Sequence, residues 1–269
     1  MKFIGKIILI TFILATISLC GYELWNISEK YSSESKIKVE LLKYRPKLPN
    51  VQDGTTINND HTDMPAPFTD ADLPDPDSEG TNQPAAPEKF VNQNIIDIQN
   101  EINSDIVGWL SIPNTQIDYP FVLAKDNDFY LRRDIYKKQA TAGSIFMDYR
   151  CDKDFTDSNI IIYGHNMKNR SMFGDLRLFA DPDFFEANTS AILFTENNTY
   201  SLEILAYMVV RFDDKMIYNP SENKDELFEY AKQNARRYRD PVSIGSFVTL
   251  STCSYEYDGA RMVLLAVIK

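Results

Sequence analysis

The chain is 269 residues long with 43% hydrophobic side chains, enough for one sizeable domain plus appended segments. Its formal net charge of −11 excludes nucleic acid as the expected partner, because phosphates call for Lys and Arg. Three cysteines without CxxC spacing and only two histidines exclude a disulfide framework and a zinc site of ordinary spacing.

Residues 7–22, IILITFILATISLCGY, are mostly apolar, with Lys2 and Lys6 before them and Trp25 at the outer edge. With its flanks this run approaches the ~20 residues that span a bilayer as a helix. No A-x-A-like cleavage site follows, so residues 1–25 are expected to be an uncleaved transmembrane anchor rather than a signal peptide. The lysines keep the N-terminus inside and send the rest of the chain out. A lipidated Cys20 is the alternative, but Leu19 stands where such signals place a small residue. Residues 26–47 are polar and rich in Lys and Glu, and read as a short stalk. Residues 48–88 hold seven prolines, and residues 51–88 hold nine acidic side chains with no Lys or Arg. That composition cannot bury enough surface to offset its ordering entropy, so 26–88 is read as an extracellular stalk and disordered acidic, Pro-rich linker.

From residue 89 to 269 the pattern is that of a folded domain. Val91, Ile95, Ile98, Ile102 and Ile106 recur at helical spacing and predict an amphipathic helix. Strand-like runs follow from Trp109, over 115–122, 143–148 and 159–163, with Pro120 marking an edge or an end. Residues 126–131 read as a helical turn. Two short helices are expected over 172–185, split by Asp181-Pro182, then a hairpin over 191–211 around Asn197-Asn198. A helix over 225–238 precedes a closing strand pair, 247–252 and 261–268. The fold class expected is mostly β, with seven or eight strands in a closed or nearly closed barrel.

Cys253 falls at the end of a strand, a plausible position for a nucleophile whose reactive form is the thiolate. A free cysteine is as commonly a small buried apolar residue, and a Cys151–Cys253 disulfide would silence it. Of the two histidines, His61 lies in the linker, which leaves His165, directly after the apolar run 159–164, as acid and base. Arg261, on the strand after Cys253, is either a surface partner of Asp258 or Glu256, or a permanent cation able to stabilise an oxyanion.

The blocks TLSTC with Arg261 eight residues on, YGHNM followed by MFGDL, SDIVGWLSIPNTQIDYP, DNDFYL and AGSIFMDYR resemble a sortase, specifically class B. The resemblance runs from about Asn103 to the C-terminus, with the blocks in the family's order. It implies an eight-stranded barrel with an N-terminal helix and a helix inserted before the Cys-bearing strand. The implied activity is transpeptidation: Cys253 cleaves a C-terminal sorting signal, NPQTN-like or another XPXTX motif, after Thr. A peptidoglycan amine then resolves the thioacyl-enzyme. It further implies that Cys253, His165 and Arg261 are catalytic, that only a minor fraction of the pair is ionised, and that Asn127 contacts substrate. Tyr163, Ser251 and Tyr218 are expected to line the groove, with packing as the other reading of each. Some class B members carry an acidic residue two positions after the Cys, where this chain has Tyr255; Glu256 is the nearest substitute. No cofactor and no metal are expected. The partners are surface proteins with a sorting signal, the peptidoglycan amine and the membrane. Alternatives are a pilin-polymerising sortase, a membrane-anchored cysteine peptidase that hydrolyses, and a binding domain in which Cys253 is merely buried.

Overall fold

The computed structural model describes residues 2–48, 91–243 and 245–269; the linker from Pro49 on, His61 within it, lies outside the described residues. The first helix, α1, runs from Lys2 to Leu41 and so takes in both the apolar run and the polar stretch after it. Among the described residues no helix is long and apolar enough to cross a membrane. The side chains of residues 1–11, part of the apolar run among them, lie outside that description.

Helix α2 (Gln93–Glu101) buries Ile95 and Ile98 and stops there. The helical spacing read from the sequence overshoots it, because Ile106 opens the first strand, β1 (Ile106–Ser111). Ile106 joins Ile95 and Ile98 in one buried cluster, so the period survives while the backbone changes. Strand β2 (Asp118–Leu123) returns antiparallel to β1. β3 (Ile145–Met147) pairs with β2 only from Phe121 onward, so Pro120 sits just before that ladder begins and removes no hydrogen bond from it.

The remaining strands are β4 (Asn159–Tyr163), β5 (Ser190–Phe194), β6 (Thr199–Arg211), β7 (Arg237–Tyr238), β8 (Phe247–Cys253) and β9 (Ala260–Ile268). Eight of them form a ring in the order β5-β1-β2-β3-β4-β8-β9-β6, which closes where β5 pairs with β6; β7 is a short addition to β6. Closure leaves no long exposed edge. Between β4 and β5, a 3-10 segment (Gly174–Ala180) and α3 (Pro182–Ala187) are separated at Asp181. The Asp181 side chain caps α3 by accepting the amide of Phe184, with Pro182 in the first turn. Helix α4 (Lys224–Asn234) is capped by Asn223. It ends earlier than the sequence pattern suggests, because Arg236 N–H turns away to Tyr207 O (2.9 Å) and starts β7.

The barrel interior is packed with Phe121, Ile160, Ile162, Leu202, Ile204, Leu250 and Leu264. Leu227 and Ala231 of α4 cover the outer face of β6, β8 and β9, against Leu205, Val263 and Leu265. Both faces of β6 are therefore apolar. The register shift between Ile204 and Ala206 inserts one extra residue and switches which alternate positions face inward.

Candidate active site

β4 and β8 are parallel neighbours, paired from Asn159↔Phe247 to Tyr163↔Ser251. Parallel strands end on the same side, so the residues following that pairing emerge together. Gly164 N–H reaches Ser251 O (3.2 Å), and beyond it lie His165 on one strand end and Cys253 on the other. Asn166 ties the two ends by donating from Nδ2 to Cys253 O (2.9 Å). β9 runs back antiparallel with Cys253 directly opposite Arg261, which sets both side chains on the same face of the sheet. The return turn closes at Gly259, whose φ of +76 suits glycine.

His165 Nε2 lies 2.7 Å from Leu131 O. A carbonyl only accepts, so Nε2 carries the proton and Nδ1 is left to receive or release one. Arg261 donates to Ala260 O (3.0 Å) and stands 5.9 Å from the Phe212 ring centroid. Among the described residues it has no carboxylate partner: Glu256 is engaged by Arg236 at 2.6 Å. Glu256 is thus taken up by Arg236 and not by Arg261. Cys151 and Cys253 are both free thiols. Cys151 is buried, and burial pushes its thiol up to about 12, so it stays protonated at neutral pH.

These groups open onto a cleft of about 590 Å³ whose lining includes Cys253, His165, Arg261, Asn127, Tyr163, Ser251 and Tyr218. The structure thus brings together every site residue named from the sequence. It also supplies the link between them, which the sequence reading missed. Asp148 is fully buried and accepts Tyr163 OH (2.9 Å), Asn127 Nδ2 (3.1 Å), and Arg150 Nε and Nη2 (both 2.8 Å). Arg150 in turn donates to Tyr218 O (2.9 Å), and Tyr218 OH shares a hydrogen bond with Ser251 Oγ (2.9 Å). The Tyr163 and Tyr218 rings stack at 6.2 Å. Burial raises the Asp148 carboxyl, but the bonds from Arg150, Tyr163 and Asn127 outweigh it and hold the group below the usual range. Asp148 and Arg150 belong to the AGSIFMDYR block, so the signal was present but carried no assigned role. Among the described residues no group of three or more His, Cys, Asp and Glu side chains is arranged to hold a metal ion.

A thiol and an imidazole on adjoining strand ends of a closed barrel, beside an unpaired guanidinium and an open groove, are the equipment of an enzyme that transfers acyl groups through a thioester. A family model for the sortase domain matches residues 110–269. The chain is 39% identical to sortase B of Listeria monocytogenes over 181 residues, 65% of this chain and 73% of that one. Among solved structures it resembles Clostridium perfringens sortase B, with 32% identity and a TM-score of 0.60 over 65% of this chain and 98% of that one. It likewise resembles a Streptococcus pyogenes class B sortase involved in pilus biogenesis, with 30% identity and a TM-score of 0.60 over 65% and 97%. This chain belongs to the sortase family, and within it to the class B cysteine transpeptidases, whose substrates carry sorting signals.

Proposed function

We propose that this enzyme cleaves surface proteins after the Thr of an NPQTN-like or other XPXTX sorting signal and joins them to an amine of the peptidoglycan. The observation that carries the reading is the convergence of Cys253, His165 and Arg261 on one cleft. Cys253 Sγ, as thiolate, attacks the Thr carbonyl carbon; Arg261 stabilises the resulting oxyanion, a role suited to a guanidinium with no competing carboxylate. His165 delivers a proton to the departing amine as the C–N bond breaks, leaving a thioacyl-enzyme. Asn127, Tyr163, Ser251 and Tyr218 form the groove wall for the signal peptide, held by Asp148 and Arg150.

The N-terminal segment is proposed to anchor the enzyme in the membrane, with its catalytic domain outside. Supporting this, Phe12, Leu14, Ile17 and Leu19 are large apolar side chains exposed along α1, and the apolar run begins earlier, at Ile7. Residues 48–88 are proposed as the spacer toward the wall.

The likeness to the pilus-associated class B sortase favours pilin polymerisation as the second reading, with a Lys of another subunit as acceptor. Incubating the acylated enzyme with wall-type amines and with a pilin Lys peptide separates the two. Product formed only with the Lys peptide would overturn wall attachment.

A further inference from the structure

Transpeptidation brings two substrates to one sulfur, and the sorting signal is the one proposed above for the 590 Å³ cleft. A second cleft of about 370 Å³ opens beside the same strand ends, lined by Asn166, Lys168, Arg177, Ser254, Tyr255 and Met262. It shares no residue with the first, yet it contains the residues immediately after His165 and Cys253. We propose that this cleft receives the acceptor amine and recognises it as part of a peptide bearing a carboxylate. The inference rests on the two-step reading of Cys253 given above.

Three observations carry it. The first is strand alternation. Arg261 is the register partner of Cys253 and shares its face, whereas Met262, one residue on, faces the other way and is 6% exposed. Consecutive residues of β9 thus serve one cleft each, Arg261 the first and Met262 the second, just where β8 delivers Cys253. The second is the Asn166 Nδ2 bond to Cys253 O (2.9 Å), which ties a lining residue of the second cleft to the nucleophile of the first. The third is charge. Lys168 and Arg177 are exposed and line the cleft with no acidic residue among its walls. Neither forms an ion pair among the described residues. In a chain of net charge −11, two unpaired cations in one cleft suit an anionic ligand. Tyr255, 81% exposed, offers a flat apolar face to the peptide that carries it.

The step balances without a further reactant. The acceptor nitrogen, as free amine, attacks the thioester carbonyl carbon. The new C–N bond forms and the C–S bond breaks. Sulfur leaves with its electron pair as the Cys253 thiolate, and the proton shed by nitrogen passes to His165. Nothing is oxidised or reduced.

The test uses the full chain in detergent micelles, a quenched sorting-signal peptide and two acceptors, triglycine and triglycine amide. Lys168→Gln/Arg177→Gln is compared with the unaltered enzyme for acylation of Cys253 and for aminolysis. The double variant is expected to raise KM for triglycine about tenfold, the loss of a charge-assisted contact. Acylation and the KM for triglycine amide should not change. Equal sensitivity of both acceptors, or of neither, would overturn the carboxylate site while leaving the transpeptidase reading intact. Absence of any acyl-enzyme in the unaltered protein would overturn both.

Discussion

Cys253, His165 and Arg261 are legible in the sequence because each sits at the end or start of an apolar run, and strand ends are where a barrel exposes side chains. Asp148 is not legible in that way. Its meaning lies in three side-chain partners, Asn127, Arg150 and Tyr163, two of them distant in sequence, and no local pattern announces them. Asp148→Asn keeps the shape but removes the charge that holds Arg150, so the groove wall should loosen. We expect KM for the sorting peptide to rise about tenfold with a smaller change in kcat, as befits a positioning residue. Its sign with pH also follows. The folded-state carboxyl titrates lower than the unfolded one, so its stabilisation is complete above the ordinary Asp range near pH ~4 and is lost as pH falls through the folded value. Urea unfolding between neutral pH and pH 3 should show a smaller acid loss in the Asn variant. Arg261→Ala should lower acylation by ~10²–10³, read by rapid-quench mass analysis. Thiol chemistry separates the cysteines. In a Cys20→Ala background, alkylation of the native enzyme at neutral pH should mark Cys253 and spare Cys151, whose thiol burial keeps protonated. Marking of Cys151 alone would contradict the assignment.

At the scale of elements, the β4 and β8 strands were readable to within a residue because β-branched runs bounded by turn residues admit few other structures. The extra residue near Leu205 was not, because an apolar run gives no sign of which face each side chain takes. Nor was the support of the imidazole. Leu131 O, which fixes His165, belongs to the 3-10 turn Tyr130–Arg132, and that turn packs on Gly143. Gly143 has φ +57, and a Cβ there would lie 2.6 Å from Leu131 O. Gly143→Ala is therefore expected to cost about 1–3 kcal/mol in stability. It should also lower kcat by displacing the carbonyl that sets the His165 tautomer. Chemical denaturation and the kcat pH profile check the two effects separately. An Ala variant of unchanged stability and rate would show that the turn does not hold the histidine.

For the whole molecule, the sequence pattern separates residues 26–47, read as a stalk, from a catalytic domain, yet the end of that stretch belongs to the domain's core. Leu41 and Tyr44 are buried in the cluster of Ile95, Ile98 and Trp109. Arg45 pairs with Asp118 at 2.8 Å, and Lys38 Nζ donates to Gln116 O. The polarity of residues 26–47 hides this, because a few apolar side chains amid Lys and Glu do not read as a core. Leu41→Ala should destabilise the full chain by about 2–5 kcal/mol, the usual cost of emptying a buried Leu site. A piece beginning at residue 89 should unfold at lower denaturant than the full chain; equal midpoints would make the docked segment a bystander.

The central claim, that one thiol carries an acyl group from a sorting signal to an amine, is open to a single direct measurement. The full chain in micelles is mixed with quenched peptides bearing NPQTN, LPXTG-like and SPKTG-like motifs, with and without triglycine, beside Cys253→Ala, and products are weighed. The account predicts cleavage after Thr of one motif, an acyl adduct on Cys253, a Thr–glycine product when the amine is present, and silence in the variant. Cleavage that survives Cys253→Ala, or that yields only the hydrolysed peptide at saturating amine, would contradict it.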